Sequence, residues 1–226
     1  MTRAIDMHVH PSTPEYVVDG MGEFGPACES HFRTTLPRHS VDEMADVFRA
    51  ADVLGVLFAW DAETASGLPP VTNDFVAGCV RAHPDTFLGF ASVDPLKGDA
   101  ATRELERAVR ELDLRGLKLH PPAQLFSPDD REVAYPIFET ADALGIPVTL
   151  HTGTTGLGAG MPGGGGIKLT YARPILLDAV AADFPNLQIV MAHPASPWQD
   201  EQLAVALHKP NTWIDLSGWS PKRFSP

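Results

Sequence analysis

The chain has 226 residues, 44% of them hydrophobic, and its 29 acidic and 17 basic side chains give a formal net charge of −12. This length can bury one sizeable core, so we expect a single domain over residues 1–226. The acidic balance argues against a nucleic-acid partner, and no apolar stretch approaches the roughly 20 residues of a membrane span. The two cysteines, Cys28 and Cys79, lie far apart and form no metal-type pair, which favours reduced thiols and a cytoplasmic protein.

Strand-like and helix-like segments alternate along the chain. The predicted strands are 4–10, 53–60, 87–93, 116–120, 148–151, 187–192 and 212–216, and the predicted helices are 41–50, 73–82, 100–112, 131–144, 173–184 and 200–208. Continuous apolar runs such as Val56-Leu57-Phe58-Ala59 are typical of parallel strands that are covered on both faces. The alternation therefore predicts an α/β fold with a parallel sheet. It leaves two architectures open, a closed (β/α)8 barrel and an open doubly wound sheet.

The first predicted strand ends in two histidines, His8 and His10, with one residue between them. Residues i and i+2 of a strand point to the same face, so the two imidazoles project together. Nitrogen ligands of this kind suit a divalent transition metal. Later predicted strands also end in, or are followed by, histidines, namely His120, His151 and His193. All strand ends of a barrel converge on one mouth, whereas the first and sixth strands of an open sheet usually lie too far apart to share a metal, so the histidines favour the barrel.

Four motifs together carry a resemblance to the amidohydrolase superfamily. They are His8-Val-His10, Gly116-Leu-Lys-Leu-His-Pro121, Pro147-Val-Thr-Leu-His-Thr-Gly153 and Ala192-His-Pro194. They are similar to the amidohydrolase-related branch, which includes aminocarboxymuconate-semialdehyde decarboxylase, the resorcylate decarboxylases and hydrolases of lactones and related compounds. The resemblance implies a (β/α)8 barrel of the TIM type. It also implies that His8, His10 and His151 are metal ligands and that His193 is the catalytic acid/base residue beside the metal.

The resemblance implies Zn²⁺, or another divalent transition metal such as Mn²⁺, as the cofactor, and a small carboxylated or aromatic-derived molecule as the substrate. We expect hydrolysis by a zinc-activated water, with His193 donating a proton to the leaving group. Decarboxylation at the same site is the first alternative, because it uses the same parts, and the ligands do not choose between the two reactions. A non-catalytic barrel that has lost the site is the second alternative. A homo-oligomer is also left open.

Two further residues of the fourth predicted strand are candidate substrate contacts. Lys118 lies two residues before His120 and therefore shares its face. We expect Lys118 to anchor a substrate carboxylate, with a structural ion pair and a carboxylated, metal-bridging lysine as alternatives. We expect His120 to bind substrate or to support a ligand, with a structural role as the alternative. The glycine-rich segment 153–166 follows His151, so we expect it to act as a lid over the mouth.

The resemblance implies one more metal ligand, an aspartate on an eighth strand. No Gly-Ser-Asp-like segment follows the seventh predicted strand. We therefore expect the barrel of this sequence to lack its eighth strand, and the 226 residues to belong to a longer polypeptide or to be completed by a separate segment. Asp215 is the alternative source of the missing ligand. Asp6 has the same parity as His8 and is expected to orient a ligand.

Overall fold

The computed structural model describes residues 4–220 and 222. The strands are β1 Ala4–Val9, β2 Val53–Phe58, β3 Phe87–Phe90, β4 Leu117–Leu119, β5 Val148–His151, β6 Ile189–Ala192 and β7 Thr212–Asp215. The α-helices are α1 Phe24–Phe32, α2 Val41–Ala51, α3 Glu63–Ser66, α4 Asn73–Ala82, α5 Asp99–Arg110, α6 Pro121–Gln124, α7 Tyr135–Leu144, α8 Leu177–Asp183 and α9 Gln199–His208. A π-helical turn spans Glu15–Gly20, and 3₁₀ turns span Pro95–Lys97, Pro162–Gly166, Leu169–Ala172 and Pro174–Leu176.

The strands form two parallel sheets whose order follows the chain. One sheet is β1-β2-β3 and the other is β4-β5-β6-β7, and a single parallel bridge between Ala91 and Leu117 connects them. A doubly wound sheet reverses its strand order at a switch point, and the described strands show no such reversal. This is the strand order of a TIM barrel without an eighth strand in the described part of the chain. The expected α/β fold is therefore confirmed, and the open-sheet alternative is wrong.

The buried residues of β2 and α5 have the spacing that the sequence pattern predicts for a strand and a helix. The β2 residues Val56, Leu57 and Phe58 are all at most 1% exposed, as expected for a strand covered on both faces. In α5, Ala101, Leu105 and Ala108 are buried at helical spacing and pack toward the sheet. No described helix is long and apolar enough to cross a membrane.

The structure corrects several predicted boundaries near prolines. The helix expected over 131–144 begins at Tyr135, with a proline in its first turn, and the helix expected over 173–184 is regular only over Leu177–Asp183. A 3₁₀ turn that begins at Pro174 precedes α8. Proline has no N–H to donate to a preceding helical turn, so a regular helix does not extend from 173 through Pro174. The long segment after β1, for which no helix was predicted, contains α1.

A buried glutamine links the strand ends that form the mouth. The Gln124 side-chain amide donates to the carbonyl oxygens of Asp61 at 2.6 Å and Val93 at 2.8 Å. Its Oε1 accepts the backbone N–H of His120 at 2.7 Å. Because these residues follow β2, β3 and β4, Gln124 fixes three neighbouring strand ends relative to one another.

Candidate metal centre

One cavity of about 760 Å³ opens at the C-terminal ends of the strands. Six histidines line it: His8 in β1, His151 in β5, His31 in α1, and His10, His120 and His193, which follow β1, β4 and β6. The structure therefore brings together all the histidines that the sequence analysis assigned to one mouth. Convergence of strand ends on a single face is the geometry that a barrel imposes.

The imidazoles form a compact group that spans both sheets. The ring centroid of His193 lies 4.7 Å from that of His8 and 4.8 Å from that of His151. The His8 and His10 centroids are 5.4 Å apart. His8 lies in β1 and His10 directly after it, in the first sheet, whereas His151 ends β5 and His193 follows β6, in the second, so the group draws its members from both sheets.

His8 is held by a carboxylate from the opposite sheet. Its Nδ1 lies 2.5 Å from Oδ2 of Asp215, and both side chains are largely buried. Burial lowers the pKa of His8 to about 3, with the nearby Lys118 charge acting in the same direction. Burial opposes ionisation of Asp215, yet hydrogen bonds from His8 and from Ser217 hold its pKa at about 2. A neutral His8 therefore donates from Nδ1 to an ionised Asp215, and this hydrogen-bonding pattern assigns the lone pair to Nε2.

Two other histidines carry buried nitrogens that lack a hydrogen-bond partner. They are Nδ1 of His10 and Nε2 of His151. Burial lowers the pKa of both imidazoles well below the ordinary value, so both are neutral. Buried polar atoms normally have partners, and an orphan in such a position indicates a group that an ion or ligand satisfies.

The chemistry of this donor set fits a divalent transition metal. Neutral imidazoles are ligands for Zn²⁺ and Mn²⁺, and ligating histidines usually donate their other N–H to a carboxylate, as His8 does to Asp215. Among residues 4–220 and 222, no three His, Cys, Asp or Glu side chains are already gathered around one metal position. Coordination by His8, His10 and His151 therefore requires side-chain rotation from the arrangement described.

His193 is held differently from the candidate ligands. Its Nδ1 donates to the carbonyl oxygen of Ser217 at 3.0 Å, which leaves the lone pair on Nε2. Its backbone has a φ of 70°, an uncommon conformation for a non-glycine residue, and Gln202 donates to its carbonyl at 2.7 Å. A Cβ added to Gly218 would lie 3.0 Å from Nδ1, so the chain fits closely around the ring. Burial lowers the pKa of His193.

Lys118 is buried beside the cluster without lining the cavity. It is 1% exposed, and its Nζ lies 3.4 Å from Nε2 of His8 and 5.0 Å from the ring centroid of Phe58. Burial lowers its pKa to about 7, against a smaller opposing effect of Asp215. No ion pair of Lys118 occurs within the described ranges, and Lys118 is not among the cavity-lining residues. Its Nζ faces Nε2 of His8, the nitrogen that carries the lone pair, and a contact with a substrate carboxylate stays a prediction.

His120 has a structural use as well as a place at the mouth. Its Nδ1 accepts the backbone N–H of Ala123 at 3.2 Å and so caps α6. Its Nε2 lies 3.5 Å from Oγ1 of Thr155, and its ring stacks on His151 with a centroid distance of 4.0 Å. Only the Nε2 side of His120 therefore remains for a substrate.

The sequence analysis missed two aromatic residues of the site. Tyr16 stacks on His10 with a centroid distance of 5.0 Å, and Trp60 contacts both His10 and His120 edge-on. Tyr16 lies in a π-helical turn that periodicity does not reveal, and Trp60 lies two residues after the end of β2. The position of Trp60 just beyond a strand end was the available signal. Asp6, by contrast, accepts the backbone N–H of His8 at 3.0 Å and makes no contact with a ring.

The chain is similar in sequence to an amidohydrolase family profile and, over part of its length, to two decarboxylases. Residues 5–226 match the profile of a family described as amidohydrolase. Gamma-resorcylate decarboxylase of Polaromonas sp. (strain JS666) is 30% identical over 125 residues, which are 51% of this chain and 36% of that protein. The 2-amino-3-carboxymuconate-6-semialdehyde decarboxylase of Dictyostelium discoideum is 31% identical over 98 residues, 42% of this chain and 27% of that protein. Each match thus spans well under two thirds of the relative's length.

Solved structures show the same fold. An uncharacterised TIM-barrel protein from Bordetella bronchiseptica matches with a TM-score of 0.69 at 26% identity, over 93% of this chain and 73% of that one. A dihydroxybenzoic acid decarboxylase from Polaromonas sp. JS666, with bound manganese and the inhibitor 2-nitroresorcinol, matches with a TM-score of 0.56 at 22% identity, over 86% of this chain and 66% of that one. These likenesses confirm the TIM-barrel architecture.

Proposed function

This chain belongs to the amidohydrolase family, and on that premise we propose that it is a metal-dependent decarboxylase of a small carboxylated aromatic or unsaturated compound. The two curated relatives described above are both decarboxylases. Hydrolysis, which the sequence analysis expected, has no such support from them. The proposed metal ligands are His8, His10 and His151.

The position of His193 carries this proposal. Its ring lies within 4.8 Å of both His8 and His151, between centroids, in a cavity that is large enough for a small ring compound. Its Nδ1 is fixed by Ser217, so Nε2 is the nitrogen that exchanges a proton in the cavity. Decarboxylation requires such a group, because the carbon that loses the carboxylate must gain a proton.

The reaction balances with His193 as the only proton donor. The protonated imidazole transfers its proton to the substrate carbon, the bond from that carbon to the carboxylate breaks, and its electron pair restores the conjugation of the substrate. Carbon dioxide leaves, and His193 recovers a proton from solvent. Burial lowers the pKa of His193, which makes the imidazolium a stronger acid but also reduces its population, so Nε2 takes up a proton from solvent before each transfer.

A bound divalent metal would supply positive charge that orients and polarises the oxygen atoms of the substrate. Mn²⁺ is the first metal to test, because the Polaromonas decarboxylase structure contains it, and Zn²⁺ is the alternative. Asp215 fixes the His8 ring, and the stacked aromatic ring of Tyr16 restricts His10.

The test is product analysis with Mn²⁺-loaded protein in D₂O. We expect 2,6-dihydroxybenzoate or a related carboxylated phenol in a panel to release carbon dioxide and to acquire one deuterium at the former carboxylate position. His193→Asn should retain the metal and lose about 10²–10⁴-fold in rate. Hydrolysis of lactones or esters with no carbon dioxide release from the panel would assign the chain to the hydrolases instead. A protein that binds no metal would be the non-catalytic barrel.

A further inference from the structure

A second, smaller cavity adjoins the histidine-lined one. It has a volume of about 50 Å³, and we call it the annex. Its walls come from the turn that contains Tyr16, from α1, α3 and α6, and from the glycine-rich segment 153–166. Tyr16, Met21, Trp60 and Leu157 line both cavities, so the annex lies directly beside the mouth.

Two aromatic rings connect the annex to the candidate ligands. Tyr16 stacks on His10, and the centroid of Trp60 lies 6.1 Å from that of His10 and 5.4 Å from that of His120. Tyr16 and Trp60 in turn contact each other at 6.2 Å between centroids. A group in the annex is therefore separated from the histidine cluster by little more than the width of one ring.

The annex lining is apolar and uncharged. None of its lining residues, all of which the structure describes, has a charged side chain. Ser66 contributes a hydroxyl that already donates to the carbonyl of Ala62 at 2.8 Å. Apolar cavities of this kind tend to stay dry and to accept apolar ligands. About 10–15 Å³ of such volume holds one water-sized group, so the annex has room for about three to five non-hydrogen atoms.

The glycine-rich segment closes the annex on one side. A Cβ added to Gly165 would lie 2.6 Å from Cε1 of Phe24, and Gly165 has a φ of 61°. A residue with a side chain would therefore have a strained backbone there, and its Cβ would displace the Phe24 ring. The segment thus packs its backbone directly against α1 and forms a wall of the annex.

We propose that the annex is a specificity pocket for an apolar substituent of the substrate, an alkyl or alkenyl chain of about three to five carbon atoms. This inference rests on the proposed function, because it takes the histidine cluster as the place where the substrate's carboxylate binds. It extends that function by naming the substrate class: a carboxylated compound that carries a short hydrocarbon chain. For one molecule to occupy both cavities, its hydrocarbon chain must pass beside the rings of Tyr16 and Trp60, which line both.

The probe is a series of linear carboxylic acids from acetate to decanoate, titrated calorimetrically into the Mn²⁺-loaded, full-length protein. We expect one window of about three to five successive carbons in which affinity rises about fourfold per methylene, with little length dependence before and after it. Ala65→Leu fills the annex from α3 and should weaken the longer acids by about tenfold or more while acetate binding is unchanged. Ala100→Leu, the same substitution at an exposed position of α5, is the matched control and should change nothing.

A second variant should widen the range of chain lengths over which affinity rises, whereas Ala65→Leu should narrow it. Leu68→Ala enlarges the annex, so the window should extend by about two to three carbons, a gain that misfolding does not produce. A flat dependence on chain length, no binding of any acid, or an equal window in wild type and both annex variants would overturn the proposal. Carbon dioxide release decides the proposed function separately. A length window without decarboxylation supports the annex and refutes the decarboxylase, and decarboxylation without a window does the reverse.

Discussion

Nδ1 of His8 lies 2.5 Å from Oδ2 of Asp215, and this contact joins the end of β1 to the end of β7. The sequence analysis considered Asp215 only as a substitute for a missing metal ligand. In the structure its carboxylate instead fixes the tautomer and orientation of a candidate ligand. This is the usual role of a carboxylate behind a metal-binding histidine.

Asp215→Ala should therefore weaken metal binding by about 10–100-fold without abolishing it. The loss follows because His8 would keep its donor nitrogen but lose the partner that aims it. Metal affinity is measured by competition with a chelator of known affinity. Glu139→Ala, at an exposed position of α7, is the control. Complete loss of the metal would identify Asp215 as a ligand itself.

His8→Ala, His10→Ala and His151→Ala should each lower the bound metal strongly, because each removes one of the three proposed donors. Metal stoichiometry of purified protein by elemental analysis measures the effect. His208→Ala, an exposed histidine of α9, should retain full metal content. Unchanged stoichiometry in all three cluster variants would eliminate the proposed site.

His193→Asn should separate catalysis from metal binding. We expect full metal content and a decrease in kcat of about 10²–10⁴-fold, since the variant lacks the proton donor. Metal content and turnover are measured on the same preparation. Loss of the metal in this variant would instead make His193 a ligand.

Lys118→Met should stabilise the metal-free protein by roughly 1–4 kcal/mol at pH 6, because it removes a buried ammonium without an ion-pair partner in the described part of the chain. The pKa of Lys118 is about 7 in the folded state, below its unfolded value of about 10.4. The free-energy cost of burying the charged ammonium is fully present below pH 7. It declines as the pH rises toward the pKa of lysine in the unfolded chain.

Urea denaturation at pH 6 and pH 9.5 measures this difference. The wild type should gain stability between the two pH values relative to Lys118→Met, whereas Lys168→Met, at an exposed position, should behave as wild type. A variant that is less stable than wild type at both pH values would show that Lys118 forms a necessary interaction.

Much of the fold was predictable because buried apolar residues recur in the sequence with the spacing of strands and helices. Apolar runs predicted β2 and β6, and helical spacing predicted α4 with the bounds that the structure has. Both signals come from residues that are close together in the sequence. Helix α1 was missed, and its contacts with the glycine-rich segment join residues more than 100 positions apart, as Phe24 and Gly165 show, which local sequence patterns do not reveal. Proline positions shifted the starts of α7 and α8 in ways that the 3.6-residue pattern alone does not capture.

The site was predictable only in part. Strand parity and strand ends were enough to gather five histidines at one mouth. The roles within the group depend on tertiary contacts: Asp215 reaches His8 across 207 positions, and Tyr16 reaches His10 from an irregular turn. Which nitrogen is free, and which residue caps a helix as His120 does, is decided by such partners.

The join between the two sheets has a mechanical consequence. A single bridge from Ala91 to Leu117 connects them along the chain order, and the candidate ligands are divided between them. A metal held by His8, His10 and His151 would cross-link the ends of β1 and β5, strands that do not pair with each other in the described part of the chain. A shift of one sheet relative to the other would then alter ligand spacing, so substitutions in the packing around Leu117, where the sheets join and which is not a proposed ligand, would change metal affinity.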